Sequence, residues 1–512
     1  MKYAVLVLYA LMMVLVICFT AKKSISLNDF LLGGRNVGPW MSALSYGASY
    51  FSAVIIVGYA GSTGWDVGIS AVWCGIGNAL IGSFLAWSLL AKPTRLMGER
   101  LSVVTIPSFF EKRYQSKTLK ILSSLIIFIF LLPYSASVYK GLGYMFQLTM
   151  GFDYTWCVIG IAMLSSLYLF LGGYKATAVS DFIQGIIMLV GIGLIVYFII
   201  RGAGGLTQGI SQLGQDAVGG PGFNSLIPPK GKGLWLAANV VLTSLGVLGM
   251  PQMIHKFFAI KETAAIKRAT VISTSFAIII AGGAYFAGSF GRVILSQITS
   301  DSGETLAALV NSGKMAKDTI MPTMLVDQTI VNIPEFLQGL FVVLLLSASI
   351  STLTALVLSS ASVISIDLVG SLFPKISSKG MTLIMRMLCV AFVAFSLTVN
   401  FLMQKTPIMS LMSLSWGTIA GAFLAPFLYG LLWKGVTKPG VYAGVLCGVL
   451  ISLLPPLLSG NFALAPISGA GAMIAGLIIV PIVSLLTKKQ AFDDKHIAWV
   501  FGNEPVQKSV SL

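Results

Sequence analysis

Long apolar runs, separated by short polar segments, extend along the chain from its first residues to residue 487. A run of about 20 apolar residues crosses a bilayer as a helix, because only a helix satisfies its own backbone hydrogen bonds without water. The pattern therefore predicts an all-α polytopic membrane protein. We assign thirteen spans, near residues 3–21, 40–63, 67–91, 118–148, 154–173, 177–200, 233–257, 269–296, 329–368, 381–403, 407–433, 437–458 and 464–487.

The composition agrees with a bilayer environment. Of the 512 residues, 56% are hydrophobic and 10% are charged, and the mean hydropathy is +0.90. Soluble domains carry roughly 25% charged residues. We therefore expect one transmembrane domain that contacts membrane lipid, with a polar cytoplasmic tail over 488–512. The net charge of +16 is assigned to membrane orientation, and no nucleic-acid partner is expected.

The distribution of Lys and Arg predicts the orientation. Of the 33 basic residues, 24 lie in alternate loops on one side, 8 lie on the other side, and Lys140 lies within a span. Because basic loops stay inside, the N-terminus is predicted outside and the C-terminus inside the cell membrane. The first run is interpreted as a mature helix and not a signal peptide, since Lys22 and Lys23 follow it and no cleavage pattern does.

The second span contains a group of small residues that weaken a helix. Gly47, Ala48, Ser49 and Ser52 occur within six positions, so a break is predicted near Ala48 to Ser52. A broken membrane helix exposes carbonyl groups that can bind an ion. Close helix packing by small residues is the alternative explanation.

The ninth span is unusually rich in hydroxyl groups, with nine Ser and Thr residues between positions 347 and 365. Ala348, Ser351 and Thr352 lie on one helical face because they are spaced i, i+3 and i+4. Hard cations take oxygen ligands. The hydroxyls of Ser351 and Thr352, with free carbonyls of the second span, are thus predicted to form a sodium site. A hydroxyl-lined helix seam is the alternative.

Several strings resemble one family of carriers. LGGYKATAVSDFIQGIIMLVG, from Leu171 to Gly191, resembles the GG-Y-K-A-V-x-x-D-x-x-Q-G signature of the sodium:solute symporter family, which includes bacterial sodium/proline and sodium/sugar carriers. FLLGGRNVG at Phe30 to Gly38, GMPQMIHKFFAIK at Gly249 to Lys261 and SWGTIAGAFLAPFLYGLLW at Ser415 to Trp433 also match, in order. The resemblance covers nearly the whole chain.

This resemblance implies a LeuT-type core of two inverted five-helix repeats, over 40–200 and 233–433, that works by alternating access. Residues 3–21 would then form an extra N-terminal helix and 437–487 two peripheral helices. The family's main sodium site, transferred position by position, implies ligands whose spacing agrees with the site predicted above. They are the carbonyls of Ala48, Phe51 and Ala348 and the hydroxyls of Ser351 and Thr352.

Two charged residues stand out within spans, where an ionised side chain needs a partner or water. For Asp181 the resemblance implies a role in sodium coupling or in a second sodium site, and the alternatives are a structural partner for Lys175 or an inner gate pair. Lys140 can bind a carboxylate substrate, titrate during transport, or extend its ammonium to the outer surface.

The solute pocket is expected around the two breaks of the core. Tyr134 aligns with a substrate-facing position of the family, and the other positions follow from the core geometry, although ordinary aromatic packing explains each Trp equally well. The predicted substrate-binding residues are Tyr50, Ser52, Trp73, Tyr134, Lys140, Thr243, Ser244 and Trp416.

The same positions bear on the identity of the solute. Within the family, proline carriers have aromatic residues at the positions of Thr243 and Val247 and an aspartate at the position of Tyr50. This difference argues against proline as the solute. The pocket holds few amides or acids beyond Asn78, which argues against a sugar.

The leading hypothesis is a sodium-coupled symporter, functional as a monomer, that imports a small organic solute such as an amino acid or a short carboxylate. Na⁺ is the coupling ion. A proton-coupled or uncoupled carrier and a transporter-like solute sensor remain as alternatives. An enzyme is not expected, because the sequence contains no phosphate loop, HExxH motif or Ser-His-Asp grouping.

Overall fold

The computed structural model describes residues 1–21, 38–373 and 375–502, and the side chains of 17–21 and 167–176 lie outside the description. The matching string at residues 30–37, the flanking Lys22 and Lys23, and the Lys175 side chain therefore fall outside the described part of the chain.

The described residues form helices that we number in chain order. They are α1 (Lys2–Ala21), α2 (Pro39–Tyr50), α3 (Ala60–Val67), α4 (Val72–Gly77), α5 (Lys92–Arg100), α6 (Ile106–Tyr114), α7 (Lys117–Met150), α8 (Tyr154–Gly202), α9 (Leu206–Leu213), α10 (Gly233–Leu245), α11 (Pro251–Phe258), α12 (Ile266–Ala277), α13 (Gly283–Ser289), α14 (Gly291–Leu295), α15 (Leu306–Asn311), α16 (Ile320–Val326), α17 (Glu335–Ser362), α18 (Gly370–Leu372), α19 (Ser378–Leu402), α20 (Ile408–Leu432), α21 (Lys438–Ser459), α22 (Ala465–Leu486) and α23 (Asp494–Phe501).

Within the described residues, nine helical stretches are long and apolar enough to cross a membrane, or ten when the bent pair α10 and α11 counts as one span. The longest, Val54–Arg100, is interrupted at Gly68, whose φ of 61° ends α3. The fifth and sixth predicted spans run as one helical segment, α8, through their predicted boundary at residues 174 to 176. An all-helical membrane protein is confirmed, and the count of thirteen spans stays a prediction.

The break expected in the second span is present. Helix α2 ends at Tyr50, and Phe51 is extended, with φ −102° and ψ 110°. The chain returns to helical backbone at Val54 through a π-helical turn, Val54–Tyr59, that leads into α3. The sequence therefore folds as two half-helices joined by an extended step at the small-residue segment.

A second break separates α10 from α11. A 3₁₀ turn, Gly246–Gly249, follows Leu245, and Met250 is extended before Pro251 begins α11. Proline is well placed at the first helical position, where its missing N–H is not needed. The two half-helices meet at an angle of 43°.

The most buried helices are α17 and α20. Within the most apolar 18-residue window of each stretch, the buried share is 89% for Glu335–Leu372 and 94% for α20. The corresponding share is 28% for α19 and 33% for α21. Helix α1 packs against α8 and α17. The Lys2 ammonium at its start donates to the Thr149 carbonyl, at 2.5 Å. The hydroxyl-rich α17 thus lies in the interior, where the break of α2 can face it.

Helices α3 and α13 cross at a pair of glycines. A Cβ atom on Gly64 would lie 2.2 Å from the carbonyl carbon and oxygen of Gly288, and a Cβ on Gly288 would lie 2.1 Å from the Ala60 carbonyl oxygen. Small residues let membrane helices approach this closely. The crossing fixes α3, and with it the half-helix after the break.

We expect Gly64→Ala to destabilise the protein, because the added methyl group meets backbone that cannot move aside. Overpacking of this kind costs about 1–3 kcal/mol. Gly193 of α8 is the matched control, since a Cβ there meets nothing within 4 Å, so Gly193→Ala should leave stability unchanged or raise it slightly. Thermal unfolding of both variants in detergent tests this, and equal transitions for the two would contradict it.

Candidate functional site

The break in α2 releases backbone carbonyls from their helical partners. In a continuous helix, the N–H groups of Ala53, Val54 and Ile55 would bond the carbonyls of residues 49, 50 and 51. Instead, Ala53 N–H donates to Ser349 Oγ at 3.1 Å, Val54 N–H to Ser52 Oγ at 3.2 Å, and Ile55 N–H to the Ser52 carbonyl at 3.0 Å. The carbonyls of residues 49 to 51, including Phe51, are free for other partners.

Hydroxyl groups of α17 face these carbonyls. Thr352 Oγ1 lies 3.1 Å from both the Ser49 carbonyl oxygen and the Ala348 carbonyl oxygen. Ser49 Oγ and Ser351 Oγ are 3.2 Å apart. All four residues are buried. The structure thus joins the break of α2 to the hydroxyl face of α17 through oxygen atoms.

This set of donors fits a sodium ion. Carbonyl and hydroxyl oxygens are the ligands of hard cations, and they converge here from two helices. Among the described residues, no group of three or more His, Cys, Asp or Glu could hold a metal. The sequence had named Ala48, Phe51, Ala348, Ser351 and Thr352.

Sequence reasoning missed Ser49 and Ser349. Ser49 takes part through its carbonyl, a group that every residue carries and that leaves no signal in the sequence. Ser349 could have been found from the density of hydroxyls, but its function is to satisfy the Ala53 N–H at the break.

Several predicted solute-binding residues form one buried aromatic group. Tyr50 stacks on Trp416, with ring centroids 6.1 Å apart, and Tyr134 meets Trp416 edge-on at 5.7 Å. The Tyr50 hydroxyl donates to the Thr243 carbonyl at 2.6 Å, and the Tyr134 hydroxyl adjoins Ser52. Both helix breaks therefore contribute to this group, which we call the central aromatic group.

Ser244 lies next to the central aromatic group. Its hydroxyl donates to Asn78 Oδ1 at 3.1 Å, and both residues are buried. Asn78 was named from the sequence as an amide of the pocket, and the structure brings it to Ser244 although the two residues are 166 positions apart along the chain.

The structure corrects the prediction for Trp73. Its side chain is 43% exposed, and its indole N–H donates to the Leu226 carbonyl at 2.9 Å. Trp73 therefore anchors the segment that follows α9 and does not line the central aromatic group.

Lys140 is paired within the protein. The ammonium donates to the carbonyls of Gln404 and Thr406, each at 2.5 Å, and lies 3.9 Å from Asp318 Oδ2. Asp318 in turn accepts the Ile408 N–H, at the start of α20, at 3.0 Å. Lys140 thus holds the loop before α20 in place, and it binds carbonyls and an anion as a buried lysine must.

Lys140 and Asp318 border a cavity of about 790 Å³. Asp66 and Lys317 line the same cavity and form an ion pair at 2.6 Å. We call this cavity the Asp318 vestibule. Burial raises the pKa of the Asp318 carboxyl above its ordinary value, while the nearby Lys140 ammonium and the Ile408 N–H act in the opposite direction.

Asp181 is paired within the protein. Its Oδ2 atom lies 2.9 Å from the Lys256 ammonium and accepts the Ser45 hydroxyl at 2.5 Å. The Lys256 ammonium also donates to Ser45 Oγ, at 2.5 Å. Sequence reasoning named the acid but missed its partner, 75 residues away.

A broken helix whose free carbonyls face buried hydroxyls is typical of a membrane carrier. The chain belongs to the sodium:solute symporter family, whose sequence profile matches residues 30–448. This confirms the resemblance found in the sequence strings.

Two relatives are similar over almost their whole length. The chain is 30% identical over 494 residues to the osmoregulated proline transporter OpuE of Bacillus subtilis (strain 168), with 94% of each chain covered. It is 28% identical over 506 residues to a sodium/proline symporter of Staphylococcus aureus, with 95% of this chain and 93% of the relative covered.

A solved structure shows the same fold. A Na⁺-coupled sialic acid symporter superposes with a TM-score of 0.77 at 18% identity, over 95% of this chain and 97% of that one. The fold is that of the LeuT-type transporters. The chain is therefore a multi-pass membrane protein and a sodium-coupled symporter of a small organic solute, and not an enzyme.

We expect Lys140→Gln to destabilise the protein by about 3–5 kcal/mol, because it leaves the buried Asp318 carboxylate without its cation. A carboxyl with a higher pKa in the folded than in the unfolded protein binds its proton more tightly when folded. The loss should therefore be larger at about pH 7.5 than at about pH 5, where more of the Asp318 carboxyl is protonated.

Thermal unfolding in detergent at the two pH values measures this loss. Lys405→Gln is the control, since Lys405 lines the same vestibule but is exposed. A loss that did not depend on pH would contradict the assignment of Asp318 as the group left unpaired.

Proposed function

We propose that the chain imports a small amino acid or short carboxylate together with Na⁺, across the cell membrane, by alternating access. The ion would be bound by the carbonyls of Ala48, Phe51 and Ala348 and by the hydroxyls of Ser351 and Thr352. The transport class follows from the family, and the ligand set is our proposal.

One observation carries the ion site. Thr352 Oγ1 lies between two carbonyl oxygens, one on each side of the contact between α2 and α17, at 3.1 Å from both. At present these oxygens face only the partial positive charge of the Thr352 hydroxyl hydrogen. An ion placed among them would present a full positive charge. It would therefore hold α2 and α17 together more strongly than the hydroxyl does.

We assign these two helices to different halves of the molecule, the inverted repeats over 40–200 and 233–433. Sodium bound between α2 and α17 would stabilise one arrangement of the two repeats. A ligand shifts the equilibrium between two conformations only when it binds them with different affinities. Sodium must therefore lose ligands as the two repeats move. The membrane potential adds about 2.3 kcal/mol per charge per 100 mV to inward movement.

The solute would bind at the central aromatic group. Tyr50, Tyr134 and Trp416 offer ring faces, Ser52 and Ser244 offer hydroxyls, and Thr243 offers its carbonyl. Such a mixture suits a small, polar solute with an apolar part. Two relatives are named as proline transporters, which makes proline the first solute to test. The residues at Tyr50, Thr243 and Val247 differ from those expected of proline carriers, so we propose a preference that is not restricted to proline.

We propose further that the N-terminus lies outside and the C-terminus inside the cell membrane, as the distribution of basic residues predicts. The Asp318 vestibule then opens outward, and Lys256 lies toward the cytoplasm. Residues 3–21 and 437–487 would be helices outside the repeats, and the monomer would be the functional unit.

We expect Ser351→Ala with Thr352→Ala to raise the sodium concentration for half-maximal uptake at least tenfold, since a bond to a charged group contributes about 1.5–3 kcal/mol. Sodium-dependent uptake of radiolabelled solute into proteoliposomes measures this. Ser396→Ala is the matched control, because Ser396 is a buried hydroxyl of α19 that bonds only within its own helix, to the Phe392 carbonyl. Unchanged sodium dependence in the double variant would exclude this ion site.

We expect a substrate to raise the thermal stability of the purified protein in Na⁺ but not in K⁺ at equal ionic strength. A ligand that binds only the folded state stabilises it by mass action, by about 2.7 kcal/mol at a hundred times the dissociation constant. A panel of amino acids, carboxylates and sugars, with proline first, would identify the solute. A solute that stabilised equally in both salts would contradict sodium coupling and favour the proton-coupled, uncoupled or sensor alternatives.

A further inference from the structure

A buried lysine stands beside the one acid predicted to take part in sodium coupling. Lys256 and Asp181 have 5% and 1% of their side chains exposed, and their charged atoms are 2.9 Å apart. The Ser45 hydroxyl accepts from the lysine and donates to the carboxylate. Three helices meet at this cluster, α2 through Ser45, α8 through Asp181 and α11 through Lys256.

The cluster lies directly next to the proposed sodium site. Ser45 and Ser49 are four residues apart on α2, so they share one helical face and are separated by about 6 Å along the helix axis. Ser49 touches Ser351 at the sodium side, and Ser45 touches Asp181 at the other. The two sites are therefore consecutive positions along the same polar face.

The surroundings of Lys256 are polar as well. Thr177, Gln252, Thr354 and Ser359 line a small cavity together with Lys256. The Gln252 side chain is 1% exposed, and both its amide oxygen and its amide nitrogen lack a hydrogen-bond partner in the structure. This position can therefore hold a cation with additional oxygen ligands when the lysine side chain is shortened.

We propose that the Lys256 ammonium is a built-in cation that occupies the position beside Asp181, so that this carrier binds one sodium ion and not two. This inference rests on the proposed function, because it takes the site at Ser351 and Thr352 as the sodium site. A buried carboxylate needs a positive partner. The ammonium, a compact charge with three donors, already fills that position, and a sodium ion cannot share it.

A consequence follows for the lysine variant. Lys256→Met removes the charge but keeps much of the side-chain volume, and leaves the Asp181 carboxylate and the Ser45 hydroxyl as two oxygen ligands beside the polar cavity. A sodium ion should then bind there. In the double variant Asp181→Asn with Lys256→Met, the carboxylate is gone as well, and the second ion should not bind.

Equilibrium binding of ²²Na⁺ to the purified full chain in detergent, without any solute, tests the inference. We expect one ion per protein in the wild type, in Lys256→Arg and in the double variant, and two in Lys256→Met. Size-exclusion chromatography verifies that each variant is folded. If Lys256→Met does not fold, Lys256→Ala takes its place, with the same expected count of two ions.

Two outcomes would overturn this inference but leave the proposed function standing. One is two ions bound by the wild type, with one of them lost in Asp181→Asn. The other is a single ion bound by folded Lys256→Met. Failure of the proposed function looks different: the wild type would bind no sodium, or its single ion would persist unchanged in Ser351→Ala with Thr352→Ala.

Discussion

Every backbone polar group inside a bilayer must find a partner within the protein, and the break in α2 makes this requirement acute. The N–H of Ala53 and the carbonyl of Ser49 lose their helical partners there. Ser349 and Thr352 of α17 replace them. Helix α17 must therefore be buried, rich in hydroxyls and fixed against α2. The proposed ion site would follow from the same arrangement, because the oxygens that satisfy the break are also suitable ligands for a hard cation.

The two broken helices are linked to each other by direct contacts. The Tyr50 hydroxyl on α2 binds the Thr243 carbonyl on α10, and the Lys256 ammonium on α11 binds Ser45 on α2. The two halves of the second broken helix, α10 and α11, thus each form a hydrogen bond with a residue of α2. A movement at one break must stretch or break a short polar contact at the other. Since both contacts are buried, breaking either exposes a polar group to apolar surroundings, which favours movement as a unit.

Local properties of the sequence predict most of the fold. Apolar runs predict the helices, small residues predict the break at Phe51, and helical spacing places Ser351 and Thr352 on one face. Rotation of a helix against its neighbours is not a local property. Trp73 lies between a 3₁₀ turn and a π-helical segment, and both change the angle between successive side chains, so the core geometry did not predict which face Trp73 occupies. The partner of Asp181 was likewise missed, because its distance along the chain carries no signal.

The position of Tyr50 bears on the class of solute. Helix α2 ends there, and the carbonyls at the C-terminus of a helix carry partial negative charge. With Tyr50 in place of an acid, this residue adds no formal negative charge, and its hydroxyl is already used on the Thr243 carbonyl. What remains for a cationic group is the set of free carbonyls at the end of α2, because the Tyr50 ring is already stacked on Phe51 and on Trp416. A solute with an amino group can donate to these carbonyls, and a simple carboxylate cannot. Of the two solute classes proposed above, we therefore place the amino acid before the carboxylate without an amine.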